Sequence, residues 1–453
     1  MMLSLIILTF FAVCIMFLGF VKQRNIIMPV AFLGVSLALY ALLSGQSFWN
    51  HYLANMLQTD GSAHVLSSLV IMNGLALIPF YNVYEKRGQE EIADFLGLIL
   101  FAMMGAVIMV SCTHYMALFL GIEILSISMY ILAGADRRKV KSNEASLKYF
   151  ITGSFTSAIL LFGIGLLYAI SGSLQIDNPL SVDSNLLGQI AYIFIFTGFA
   201  LKIAIVPFHF WAPDVYEGTP TLFTAAMASL VKIASMGAFL RVVQYNSDNL
   251  PGWIDAYFIL LIIATLIFGN IFAMKQQGVK RLLAYSGVVQ AGFILLGFIQ
   301  LKPGDESLIL YYFIAYMLAS LAAFVVVYFV EEQYGSDDLN AFTGLYKSNP
   351  ILAFVMTAAL ISLAGGPFTS GFVAKIFMLN QAITHGYAAL VVIAVICTLL
   401  SVYYYYKIVN AMYSKSADQK FTISPLHSGI LLVFSLVTLA AGIIPSFFVE
   451  LLK

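Results

Sequence analysis

Long apolar runs separated by short polar bends repeat along the whole of this 453-residue chain. About 20 consecutive apolar residues are needed to cross a bilayer core of about 30 Å. By that measure the pattern predicts helices over residues 3–20, 26–44, 62–84, 92–111, 113–133, 145–170, 188–207, 219–243, 252–273, 280–300, 307–331, 350–385, 387–411 and 427–449. The fold class expected is an all-α polytopic membrane protein with about fourteen transmembrane helices. The least marked boundary falls at Ser111–Thr113, between the fourth and fifth.

Two of these helices carry breakers. Pro207 interrupts the seventh, and Gly365-Gly366-Pro367 interrupts the twelfth. Unbroken, the 350–385 run would measure about 54 Å, so it must break, tilt or project. Non-helical backbone at membrane depth is tolerated only where it lines a cavity or is buried in protein, and paired breaks in corresponding halves point to a transport site. Five helices separate the two breaks. Five is odd, so helices 4–8 and 9–13 run in opposite senses, which makes two inverted five-helix repeats with broken helices 7 and 12. The chain then divides into 1–91 (helices 1–3), 92–243 (first repeat), 244–412 (second repeat) and 413–453 (helix 14). No residue-level identity joins the halves, and the repeat rests on topology.

Composition agrees with the pattern. The chain is 61% hydrophobic and 10% charged, with a mean hydropathy of +0.94, whereas soluble domains carry about 25% charged residues. Leu3–Phe20 has no basic flank before it and another span directly after it, so it reads as a membrane helix rather than a cleaved signal. Zero net charge leaves no nucleic-acid footprint. Cys14, Cys112 and Cys397 sit in apolar segments without ligand spacing, which suits packing rather than a metal site.

Short cytoplasmic loops collect Lys and Arg. The odd-numbered loops hold fourteen such residues: Lys22, Arg24, Lys86, Arg87, Arg137, Arg138, Lys139, Lys141, Lys275, Lys280, Arg281, Lys347, Lys415 and Lys420. The even-numbered loops hold Arg241 and Lys302, and Lys453 ends the chain. Both termini are therefore expected on the outer side of an energy-coupling membrane.

Five lysines remain inside helices: Lys148, Lys202, Lys232, Lys375 and Lys407. Each charge at mid-membrane costs about 2.5–3.5 kcal/mol on insertion scales, so each needs compensation or a purpose. Lys148 and Lys407 lie near helix ends and could snorkel to the interface. Glu144 stands one turn before Lys148 and could pair with it. Lys202, Lys232 and Lys375 sit deeper, and Glu123 is the acid at comparable depth. An ammonium in apolar surroundings gives up its proton readily, whereas a carboxylate about 4 Å away holds it with about 4 kcal/mol at an effective dielectric near 20. Such a set can work as a proton switch without a redox group. His209, just past Pro207, is a candidate relay or an interfacial cap. Tyr403 to Tyr406, beside Lys407, read as an interfacial aromatic belt. No phosphate loop, HExxH, GxSxG or haem motif occurs.

The stretches LKIAIVPFHFWAPDVYEGTPT, SLVKIASMGA, GIEILSISMYIL, EASLKYFITGSF and GGPFTSGFVAKIFML together resemble the antiporter-like subunits of bacterial NADH:quinone oxidoreductase (respiratory complex I). The PDVYEG bend is more typical of the subunit N type. The resemblance spans nearly the whole chain. It implies a half-channel in each repeat and a central hydrophilic axis, with Glu123, Lys202, Lys232 and Lys375 as proton-transfer residues and Glu144 and Lys148 at the charged start of helix 6. It implies no cofactor in this chain, with NAD, FMN, iron–sulfur clusters and quinone held by partner subunits. The partners implied are antiporter-like subunit M, small subunits such as K and J, the lipid bilayer and protons, in a bacterial inner membrane. Subunit M typically carries glutamate where Lys375 stands, and the lateral helix of subunit L is not expected here. Leu222 departs from the usual bend, which has a second proline there, and is expected to alter the local turn. Two other readings share these features: a subunit of a multisubunit Na+/H+ antiporter or of a ferredoxin- or hydrogenase-linked membrane arm, and an assembly scaffold with inert lysines.

Overall fold

The computed structural model describes residues 1–20, 24–45, 55–81, 89–177, 186–247, 250–302, 304–414 and 420–452. Lys22, Lys86, Arg87, Lys415 and Lys453, five of the charges behind the expected orientation, and His51 lie outside the described residues.

Apolar runs become helices because a helix satisfies its backbone internally, which lipid requires. In order they are α1 (Met2–Leu18), α2 (Ile27–Leu43), α3 (Gly61–Leu77), α4 (Gln89–Ser111), α5 (Tyr115–Ala133) and α6 (Val140–Ser171). Next come α7 (Leu186–Ile203, resumed as Trp211–Gly218), α8 (Thr221–Asn246), α9 (Ile254–Met274), α10 (Val279–Leu295) and α11 (Glu306–Tyr334). Last are α12 (Pro350–Ala364, resumed as Ser370–Thr384), α13 (Ala388–Ser414) and α14 (Pro425–Ile443). Among the described residues there is no strand, only isolated bridges such as Leu57 to Cys112 and Gly278 to Asp338. Among the described residues, eleven helices are long and apolar enough to cross a membrane, and Met2–Leu18, Ile27–Leu43 and Pro350–Ala364 are shorter apolar ones. The fourth and fifth helices do separate after Ser111. There the His114 ring caps α5 by accepting from the Met116 N–H at 3.2 Å.

Three expectations need correction. The seventh helix ends at Ile203 rather than running to 207, because Ala204 takes a left-handed φ of 63°. Arg241 and Lys280 do not belong to loops: they lie in α8 and α10 and are 1% and 3% exposed. Of the tyrosines read as a belt, Tyr403 and Tyr406 face outward, but Tyr404 and Tyr405 are buried.

The chain forms two units: Met1–Lys202 with Gly218–Gly252, and Ile203–Glu217 with Trp253–Lys453. In the first, α4 and α5 approach closely at glycines. A Cβ on Gly105 would lie 2.8 Å from the Gly121 carbonyl oxygen, and one on Gly121 2.9 Å from that of Gly105. Small residues at such crossings let backbones pack without side-chain spacers. Within this unit α8 is buried from Thr221 through Val243. In the second unit α14 passes the break in α12 at Gly442, whose Cβ would stand 2.5 Å from the Phe368 carbonyl oxygen. Just beyond, Pro445 has no N–H to offer the Ala441 carbonyl four residues back. The buried Tyr311 hydroxyl donates to that carbonyl instead, at 2.7 Å.

Candidate functional site

In the first unit α5 presents Glu123, Ser126 and Tyr130 at helical spacing i, i+3 and i+7, which is one face. The Ser157 hydroxyl of α6 donates to Glu123 Oε1. Lys202, in the last turn of the first half of α7, donates from Nζ to the Ser126 hydroxyl and lies 5.9 Å from the centre of the Tyr130 ring. The Tyr130 hydroxyl fills the notch left by Gly153 of α6, where any Cβ would collide with it. Glu123 and Lys202 thus share one polar patch, but they make no ion pair within 4.0 Å. Each is held by a serine hydroxyl, which both donates and accepts. Ser126, Ser157 and Tyr130 were not legible as site residues, since a lone serine in an apolar helix commonly bonds its own backbone.

Lys232 begins the α-helical part of α8 that follows a π-helical turn, Met227–Val231, and is buried at 6% exposure. Wide turns of this kind hold one extra residue and occur disproportionately at functional sites. In the same helix Arg241 forks onto both oxygens of Asp60 at 2.9 Å each and donates from Nε to the Cys112 carbonyl at 3.1 Å. Asp60 also caps α3, accepting from the Ala63 N–H at 2.7 Å. Burial pushes its carboxyl up, but the Arg241 hydrogen bond and charge, with Ala63 and Ser62, outweigh that and hold it below the ordinary 3.8.

In the second unit the break in α12 makes a cradle. Leu363 would normally accept from the N–H of residue 367, which is proline and has none. Lys375 supplies the missing donor: its Nζ lies 2.9 Å from the Leu363 oxygen and 3.1 Å from that of Ala364. The face of Phe293 is 4.6 Å away. A helix C-terminus carries about half a negative charge, so these carbonyls compensate a lysine that is 4% exposed without a carboxylate. Gly365, at φ 82°, leaves room for the stem, since a Cβ there would stand 2.9 Å from Lys375 Cδ.

The remaining candidates separate by environment. Glu144 and Lys148 pair with each other at 2.7 Å, with side chains 57% and 42% exposed. Lys407 caps α9, donating to the Met274 carbonyl at 2.9 Å, with the Tyr403 ring 4.9 Å away. His209 is buried against Phe272, with ring centres 5.8 Å apart, and its Nδ1 has no hydrogen-bond partner among the described residues. Just before Pro207 the backbone is steadied by Thr265, which accepts from the Val206 N–H at 3.1 Å. The PDVYEG bend is a short helix whose Asp214 and Glu217 both bind Arg281, at 2.8 and 2.9 Å. Leu222 lies in the first turn of α8, where its carbonyl accepts from the Tyr81 hydroxyl at 3.4 Å.

Buried lysines seated at the breaks of membrane-crossing helices define a polytopic membrane protein of the broken-helix class. The family described as NADH:quinone oxidoreductase/Mrp antiporter, TM, matches residues 112–401. The chain is 38% identical to NADH-quinone oxidoreductase subunit N of Flavobacterium johnsoniae, over 97% of each chain. It is 39% identical to that of Flavobacterium psychrophilum, over 95% of this chain and 96% of the relative. Among solved structures, a chain of respiratory complex I from Thermus thermophilus with bound aureothin superposes with a TM-score of 0.86 at 30% identity, covering 99% of this chain and 98% of that one. The chain therefore belongs to the NADH-quinone oxidoreductase subunit N family, within the wider group of complex I and Mrp antiporter membrane subunits.

Proposed function

We propose that this chain is the proton-translocating subunit N of a complex I-type NADH:quinone oxidoreductase. Quinone chemistry in neighbouring subunits would drive protonation changes along its buried lysines. The observation that carries this is the Lys375 cradle: an ammonium at a helix break, held by two backbone carbonyls rather than locked to an acid. Glu123, Lys202, Lys232 and Lys375 are the proton-transfer residues on this reading. His209 and Lys407 support them, and the Glu144–Lys148 pair sits where a neighbouring subunit could engage it. The breaks at Pro207 and Pro367 fall in two inverted repeats, residues 92–243 and 244–412. The chain itself holds no flavin, iron–sulfur cluster or quinone on this reading; those, with NAD, belong to partner subunits. Its neighbours are antiporter-like subunit M and small subunits such as K and J. It lies in a bacterial inner membrane with both termini outside, which the segregation of Lys and Arg supports.

The test is Lys375→Ala and Lys202→Ala in the assembled complex, with redox-driven proton uptake measured in inverted vesicles. Loss of uptake with retained assembly is the expected result. Unchanged pumping would favour an inert scaffold. A second reading, a subunit of a multisubunit Na+/H+ antiporter or of a ferredoxin- or hydrogenase-linked arm, has the breadth of the matching family in its favour. Purification without NADH-oxidising subunits would support it and overturn the first.

A further inference from the structure

The Leu363 carbonyl that Pro367 frees has two lone pairs, and both are taken. Lys375 Nζ fills one at 2.9 Å. The other receives Nε2 of Gln290, from α10, at 2.7 Å. Gln290 is 2% exposed, and its orientation is fixed from the far side by the Tyr312 hydroxyl, which donates to Oε1 at 2.6 Å. Nε2 also lies 3.5 Å from the Tyr405 hydroxyl, which is itself hydrogen-bonded to Ser286 at 2.5 Å. A side-chain amide with its oxygen engaged by Tyr312 can offer only its N–H groups toward the break. The network thus admits one orientation of Gln290, and that orientation competes with Lys375 for a single oxygen.

We infer that Gln290 is a positioning residue for Lys375. By donating to the same carbonyl, it weakens that oxygen's hold on the ammonium and fixes where the carbonyl points. The lysine is then seated without being trapped. Donors that share one acceptor weaken each other, the reverse of the mutual strengthening along a chain of hydrogen bonds. Removing one therefore tightens the other. Gln290 itself needs to carry no proton: Tyr312 and Tyr405 keep it in register, and the lysine does the transfer. This inference rests on the proposed role of Lys375 in proton translocation.

The experiment uses the assembled complex in inverted vesicles and reads proton uptake per quinone reduced, together with its pH profile. The variants are Gln290→Met, Tyr312→Phe and Lys375→Ala, with each of the first two also built on Lys375→Ala. Gln290→Met keeps the length and removes both hydrogen bonds. It is expected to lower uptake per turnover by about five- to tenfold, the scale of one buried hydrogen bond, and to shift the pH profile. Tyr312→Phe, which frees the amide to rotate, should do the same more mildly. On Lys375→Ala neither should add a further loss, because residues acting through one group are non-additive. Additive losses, or an unmoved pH profile with full assembly, would show that Gln290 only packs the helices and would overturn the inference. If Gln290→Met fails to assemble, the Tyr312→Phe cycle decides on the same criteria. If Lys375→Ala alone pumps normally, the proposed function fails; if it does not, and Gln290→Met pumps normally, only the inference fails.

Discussion

The Lys375 ammonium sits 2.9 Å from the Leu363 carbonyl oxygen, the one oxygen in that helix whose expected backbone donor is a proline. A residue from the second half of the broken helix completes the hydrogen bonding of the first half. The lysine is at once the transported proton's candidate seat and part of the backbone's own satisfaction.

That double role makes Gly365 sensitive. Gly365→Ala would hold a non-glycine residue at φ 82°, which costs about 1–2 kcal/mol, and would press its Cβ against the Lys375 stem. We expect faster thermal inactivation of the purified complex and reduced proton uptake. A variant with unchanged values for both would show that the stem moves aside freely.

For the other lysine the partners are hydroxyls. Glu123→Gln keeps an acceptor for Ser157 while removing the charge, and should lower proton uptake by roughly tenfold or more. Ser157→Ala removes one hydrogen bond and should cost a few-fold at most. Vesicle uptake assays on assembled complexes can rank the two, and equal losses would mean that geometry rather than charge matters at Glu123.

Arg241 and Asp60 give a prediction about stability. Arg241→Met leaves the partly exposed Asp60 carboxylate and the Cys112 carbonyl without their donor, which costs about 1–3 kcal/mol. The Asp60 carboxyl is depressed in the folded chain. Its stabilisation is therefore full above the ordinary value of 3.8 and is lost as pH falls through the lower, folded-state value. Thermal unfolding of the detergent-solubilised chain between neutral pH and pH 3 should show this acid sensitivity in the native protein and lose it in Asp60→Asn.

At the far side of the α12 break, Gly442→Ala should push on backbone, since its Cβ would lie 2.5 Å from the Phe368 carbonyl oxygen. Overpacking of this kind costs about 1–3 kcal/mol. A lowered unfolding temperature is expected; an unaltered one would mean that α14 can shift away.

The spans, the two breaks and the deep lysines were legible because each leaves a local signature: an apolar run, a proline within it, a charge within it. What compensates the lysines was not. Glu123 was legible as the acid at the depth of Lys202, but both are held by serines whose sequence context looks like ordinary helix packing. The Lys375 cradle is made of main-chain oxygens, which have no letter in the sequence. Arg241 looked like a loop charge because its partner, Asp60, is 181 residues away. Glu144 and Lys148, four apart, were read as a pair and are one, because that contact is set by helical geometry alone.

The wide turn at Met227–Val231 leaves α8 with one residue more than a regular helix needs for its length. Nothing covalent ties that surplus to its present position. If it moved past Lys232, the lysine would swing about 100° around the helix axis while both ends of the helix stayed where they are. A buried ammonium would then change the direction it faces through slippage of backbone register alone, without a hinge.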